Sequence, residues 1–189
     1  MAPSTTADPR PLAGEPLSID LLNTRWKPQS GPQDLLDSTE GLAAWLDFPT
    51  ARQAFGATVP EATPEALERL RQARDAIAAA VRAPEDPAAR AALNEVLSHG
   101  RVRHLLTDHG PATAVETDAP EWLPAWTAAE DYLRLLGDRP ERIRPCANHD
   151  CVLHFYDVSK NGTRRWCSMS VCGNRAKASR HYARHGSDS

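Results

Sequence analysis

The chain has 189 residues, 41% of them apolar and 25% charged, with a formal net charge of −3. Those proportions belong to an ordinary globular protein and exclude a wholly disordered or fibrous chain. No stretch approaches the ~20 consecutive apolar residues that span a bilayer, and the opening MAPSTTADPRPLAGEP lacks the apolar centre of a secretory signal, so a cytoplasmic protein with no membrane contact is expected.

Residues 1–14 are polar, proline-rich and aperiodic, and read as a disordered lead. Leu17–Trp26 (LSIDLLNTRW) is a short apolar run that suits either a helix or a strand. Ser38–Phe48 predicts a helix capped by Ser38 or Thr39, with Leu42, Trp45 and Leu46 on one face. Thr63–Pro64–Glu65 combines a capping residue, a proline at the first helical position and an acid. The helix it opens places Leu67, Leu70, Arg74, Ile77 and Val81 along one side, and its Ala76–Ala80 stretch allows close packing. Asp86–Pro87 repeats the signal for a helix to about Leu97. Arg101–Thr107 and Ala112–Thr117 predict two short strands about the turn Asp108–His109–Gly110–Pro111. A last helix is expected over Pro120–Leu136, with Trp122, Trp126, Ala129, Leu133 and Leu136 as a core stripe and Gly137 as its end. Residues 15–137 are thus expected to form a mainly helical domain with one hairpin. They show no repeat, phosphate loop or dinucleotide fingerprint.

Charge divides the chain. Residues 138–189 hold ten basic and five acidic residues, a net +5, which leaves −8 for residues 1–137. An acidic module with a basic tail suggests two tasks, the tail meeting a polyanion. A basic face that only aids solubility is the plainer alternative.

All four cysteines lie in that tail, as Cys146, Cys151, Cys167 and Cys172, spaced C-x(4)-C-x(15)-C-x(4)-C. Two short pairs across a 15–20-residue spacer are the arithmetic of one structural zinc ion held by four thiolates. Disulfides would need an oxidising compartment, and iron–sulfur clusters use tighter spacings. His149 and His154 lie near the first pair but are expected to remain outside the ligand set. Four thiolates and Zn2+ would lower the tail to about +3, still opposite in sign to the rest. A tail of this size buries too little apolar surface to fold alone, so it is expected to need the metal. Around the cysteines, Val152–Val158 alternates as a strand, Ser159–Lys160–Asn161–Gly162 is a turn, and Arg164–Cys167 reads as the returning strand. Val171 to about His185 has helical composition, which puts Cys172 in a first helical turn. The fold class expected is therefore mainly α with a small β-hairpin (α+β): a helical N-terminal domain and a treble-clef-like finger.

The tetrad Cys172–Gly173–Asn174–Arg175 closing this pattern, within WCSMSVCGNRAKASRHYARH, resembles the CGNR-type zinc finger. PLSIDLLNTR at 16–25 is similar to the opening of the ABATE domain of stress-induced transcription regulators, which precedes such fingers in bacterial proteins. The resemblance implies a regulatory domain over 15–137, a finger over 138–189, and DNA binding by the finger.

On a helical wheel of ~100° per residue, Lys177, Arg180 and Arg184 share one basic face, and Arg175 falls with Val171, Ala178 and Tyr182 on the other. The first three are the expected phosphate contacts, joined by Arg164, Arg165 and Lys160 at the hairpin; Asn174 is a candidate base reader beside Arg180. Arg175 is expected to pin the helix to the knuckle or to an acidic partner. Asn23, Thr24, Arg25 and Trp26 are candidate contacts for a small-molecule effector or stress signal, and Trp45, Trp122 and Trp126 serve either that pocket or the core. Oxidation of the thiolates is a second conceivable stress input. No nucleophile–base–orienter set appears among His104, His109, Asp20, Asn23 and Arg25, so no enzyme is expected. A homodimer reading two half-sites is a mild expectation. The rival reading is a zinc finger that contacts proteins and no nucleic acid.

Overall fold

The computed structural model describes residues 8–28, 30–56, 58–175 and 177. The apolar run resolves as a helix, α1 (Leu17–Leu22), with all six residues buried. Two short strands follow, β1 (Arg25–Trp26) and β2 (Gln33–Asp34), paired antiparallel. In α2 (Thr39–Asp47) the Ser38 hydroxyl accepts the Gly41 N–H at 3.2 Å, and Leu42, Trp45 and Leu46 are buried as expected. A further helix, α3 (Pro49–Phe55), was not among the expected elements. Phe48 is extended because a residue before proline is pushed out of the helical region, and Pro49 then restarts the helix at its first position.

The two cap-plus-proline signals both start helices. Thr63 caps α4 (Pro64–Arg82) through the Ala66 N–H, and Asp86 caps α5 (Pro87–Ser98) through the Ala88 N–H. Next comes the hairpin, β3 (Gly100–Thr107) and β4 (Gly110–Thr117), closed by a two-residue turn at Asp108–His109. The last helix, α6 (Leu123–Asp138), follows a 3-10 turn at Pro120–Trp122. Two details of the expected stripe are corrected. Trp122, Trp126 and Ala129 are buried as expected, but the buried face is centred on Ala125, Ala128, Tyr132 and Leu135, and Leu133 falls at its edge, 43% exposed. Gly137 lies inside the helix, which ends as the Arg139 N–H reaches the Leu135 carbonyl.

α1 lies against α4 and α6, and α5 closes the other side of α4. Leu67, Leu70 and Ile77 of α4 enter the core, and small residues Ala73, Ala76 and Ala80 allow its neighbours close. Arg74 sits on that same face, fully buried. Its guanidinium donates to both carboxylate oxygens of Asp34 at 2.6 and 2.8 Å and to the Thr24 hydroxyl at 2.7 Å. Burial opposes the Asp34 charge, but Arg74 and Arg25 outweigh it and hold this carboxyl below the usual range. Residues 8–14, read as part of a disordered lead, are also engaged: Arg10 is buried in ion pairs with Asp8 and Asp20.

The C-terminal region adds β5 (Ile143–Pro145) and β6 (His154–Tyr156), antiparallel with Arg144 opposite Phe155. The architecture is α+β: among the described residues, helices with three small antiparallel strand pairs. No described helix is long and apolar enough to cross a membrane.

Candidate metal centre

The first cysteine pair sits in the loop between β5 and β6. The strand at 154–156 therefore pairs with 143–145, and the expected return strand at Arg164–Cys167 is irregular. The reason is Asp157, whose buried carboxylate accepts the Ser159 and Arg164 N–H groups at 2.9 and 3.0 Å and folds the chain back on itself. Burial works against this charge, but those hydrogen bonds and nearby Arg142 hold the carboxyl below its ordinary value. Gly162 completes the turn at φ +61, facing the Arg142 guanidinium, a conformation other residues rarely adopt.

The first knuckle is closed by the Cys146 N–H, which reaches the Leu153 carbonyl at 2.9 Å, and is tied to the second by the Ala147 N–H, which reaches the Arg165 carbonyl at 2.8 Å. The second knuckle ends in a π-helical turn, Met169–Gly173, that carries Cys172; Asn174, Arg175 and Lys177 continue it as helix. The remainder of the helix expected to about His185, with Arg180 and Arg184, lies outside the described residues. A Cβ at Gly173 would stand 2.8 Å from the Met169 sulfur, the end of a flexible, exposed side chain that can move aside.

This folding brings all four thiols together. The Sγ atoms of Cys146, Cys151, Cys167 and Cys172 lie within 4.8 Å of one another, and three of the four residues are buried. Cys151 and Cys167 are 3.8 Å apart, Cys167 and Cys172 3.5 Å. Tetrahedral zinc with bonds of about 2.3 Å needs sulfurs about 3.8 Å apart, so the set fits one structural Zn2+. The Cys167 N–H donates to Cys146 Sγ at 3.4 Å and the Asn148 amide to Cys172 Sγ at 3.5 Å, both suited to thiolates. Hydrogen bonding from Cys167 draws the Cys151 thiol down to about 5, and Cys167 is pushed up by the same contact and by burial. A cation at the centre lets all four remain thiolates. His149 and His154 lie outside the set.

The remaining predicted residues divide sharply. Lys160, Arg165, Asn174, Arg175 and Lys177 are exposed. Arg164 instead turns inward: its guanidinium stacks over Phe155 at 4.3 Å and donates to the Cys167 carbonyl at 2.6 Å and to Glu15 at 3.1 Å. Asn23 is fully buried. Its side-chain amide donates to the His154 carbonyl and accepts the His154 N–H, both at 2.9 Å, so it pairs with β6 as a strand neighbour would. Thr24 spends its hydroxyl on the Leu21 carbonyl and Arg74. Arg25 pairs with Asp34 and Asp75 at the surface. Trp45, Trp122 and Trp126 are buried, whereas Trp26 packs on the finger's apolar cluster. Nothing local signalled the Asn23 and Glu15 contacts, since their partners lie more than 130 residues away.

Trp26 and Arg175 share a cleft of about 190 Å3 beside the cysteines, with Pro9, Pro11, Leu153 and Val171 among its walls.

Two family models match, in the order domain then finger. Residues 15–139 match ABATE, described as a putative stress-induced transcription regulator, and residues 142–185 match the CGNR zinc finger. No curated protein matches the chain. With the first match spanning well over half of it, the chain belongs to the ABATE family and carries a CGNR zinc finger at its C-terminal end.

Proposed function

We propose that the chain is a cytoplasmic, stress-responsive transcription regulator that binds DNA through its zinc-held finger. The observation that carries this is the sorting of the finger's charges. Asp157, Arg142, Arg144 and Arg164 are spent on one another, on backbone carbonyls and on Glu15, while Lys160, Arg165, Arg175 and Lys177 face solvent. Lys160, Arg165 and Lys177, with Asn174 and with Arg180 and Arg184 further along, are the contacts for phosphates and bases, while Arg175 lines the cleft at Trp26. Phosphate contact releases counterions, so affinity falls steeply with salt. The family description points to a regulator and away from an enzyme.

The effector site of this reading is the cleft at Trp26 rather than Asn23 and Thr24, whose polar groups are already engaged. It draws walls from both regions, so a ligand there touches the finger directly.

The test is fluorescence anisotropy of zinc-loaded protein on a random duplex pool at ~50 and ~200 mM salt, beside the triple variant Lys160→Gln/Arg165→Gln/Lys177→Gln. Tight, salt-sensitive binding with a shallower salt slope in the variant is expected. Absence of binding at the lower salt would favour a finger that contacts proteins.

A further inference from the structure

The β3–β4 hairpin has no role in the reading above. Its strands are eight residues each, about 26 Å long, and no third strand joins them among the described residues. A lone two-stranded ribbon is marginally stable in water, so a hairpin this long needs something to lie on. The register assigns its faces. Val102 opposes Val115, His104 opposes Thr113 and Leu106 opposes Pro111, all on one face. At its root this face begins on the body, where Gly100 sits so close to the Trp126 ring that a Cβ would be 2.6 Å from it. Beyond the root it runs out uncovered: Val102 is 41% exposed, Val115 43% and Leu106 85%.

The charges are segregated. Arg101, Arg103 and Glu116 all project from the opposite face, where both arginines pair with Glu116. A two-fold contact sets a surface against itself, so any net charge on it would repel its own copy. This face carries aliphatic side chains, a threonine, a proline and one histidine, and so meets that condition; a face built for a charged partner would not. We infer that the outer apolar face of the β3–β4 hairpin is a homodimer interface, each arm packing on that of a second copy. The inference stands independently of DNA binding.

Sedimentation velocity of zinc-loaded full-length protein from about 2 to 200 μM tests it, with no nucleic acid present. The expected result is a concentration-dependent dimer. Leu106→Glu, at a position too exposed to affect folding, raises the dissociation constant at least tenfold. Arg101→Glu, on the opposite face, shifts it less than threefold. A wild-type monomer throughout would overturn the inference, as would a dimer indifferent to Leu106→Glu or equally weakened by both variants.

Discussion

Among the described residues, the helical body buries twenty-four in one apolar cluster, whereas the finger's cluster has five, three of them cysteines. The body thus has the material of a self-sufficient core. The finger has Phe155 and Leu153, a buried carboxylate caught by backbone and arginines, and four clustered thiols that fit one zinc ion. A region this small is expected to gain too little from burial to hold its own fold, with metal binding closing the deficit. The two regions are nevertheless joined. Asn23 pairs with His154, Glu15 accepts the Tyr156 N–H at 2.9 Å, and Leu12 and Trp26 lie on the finger's apolar cluster. Apolar burial holds one region and coordination the other, while a few buried polar contacts set how they sit together.

Substitutions should respect that division. Cys172→Ser has the largest expected effect, because structural zinc in fingers contributes about 10–16 kcal/mol. Native mass spectrometry should show bound zinc falling from one ion to none, while the far-ultraviolet signal of the body's helices persists. Leu70→Ala, at a fully buried core position, should cost about 3 kcal/mol in urea unfolding and leave zinc stoichiometry unchanged. Asn23→Ala removes two hydrogen bonds and strands the His154 N–H and carbonyl, for about 2 kcal/mol. Its signature is separation of body and finger into two thermal transitions. Asn23→Asp should behave alike, since a carboxylate cannot donate to the His154 carbonyl.

The smallest expected effect is in acid. The folded Asp34 carboxyl titrates below its unfolded value of about 3.9, so its contribution is complete above that pH and is lost as pH falls through the depressed value. Asp34→Asn, which also lowers stability at neutral pH by leaving buried Arg74 without its carboxylate, should flatten this part of the acid limb in urea titrations. Both proteins are compared with a chelator present, so that protonation of the zinc thiolates does not enter the difference.

What could be read from the amino-acid string follows the same division between local and distant causes. Thr63–Pro64 and Asp86–Pro87 start helices because a cap and a proline act on the next turn of chain. The cysteine spacing was legible because each knuckle is a local unit. By contrast, the partner of the strand at 154–156, the inward turn of Arg164 and the burial of Asn23 depend on residues met only after the chain has folded. Arg74 shows the limit within one helix. Its place on the apolar side was visible, but not the Asp34 carboxylate that makes that burial tolerable. Leu133 failed for a subtler reason: it lies at the edge of the buried face of α6, and apolar spacing alone does not show how far the neighbouring elements reach.

Hydrogen exchange read by mass spectrometry, on the intact protein with and without a zinc chelator, tests the contrast most directly. The account predicts that chelation strips protection from amides of residues 143–173 and leaves 64–82 and 123–138 protected. Loss of protection in both regions at once, or in neither, would contradict it.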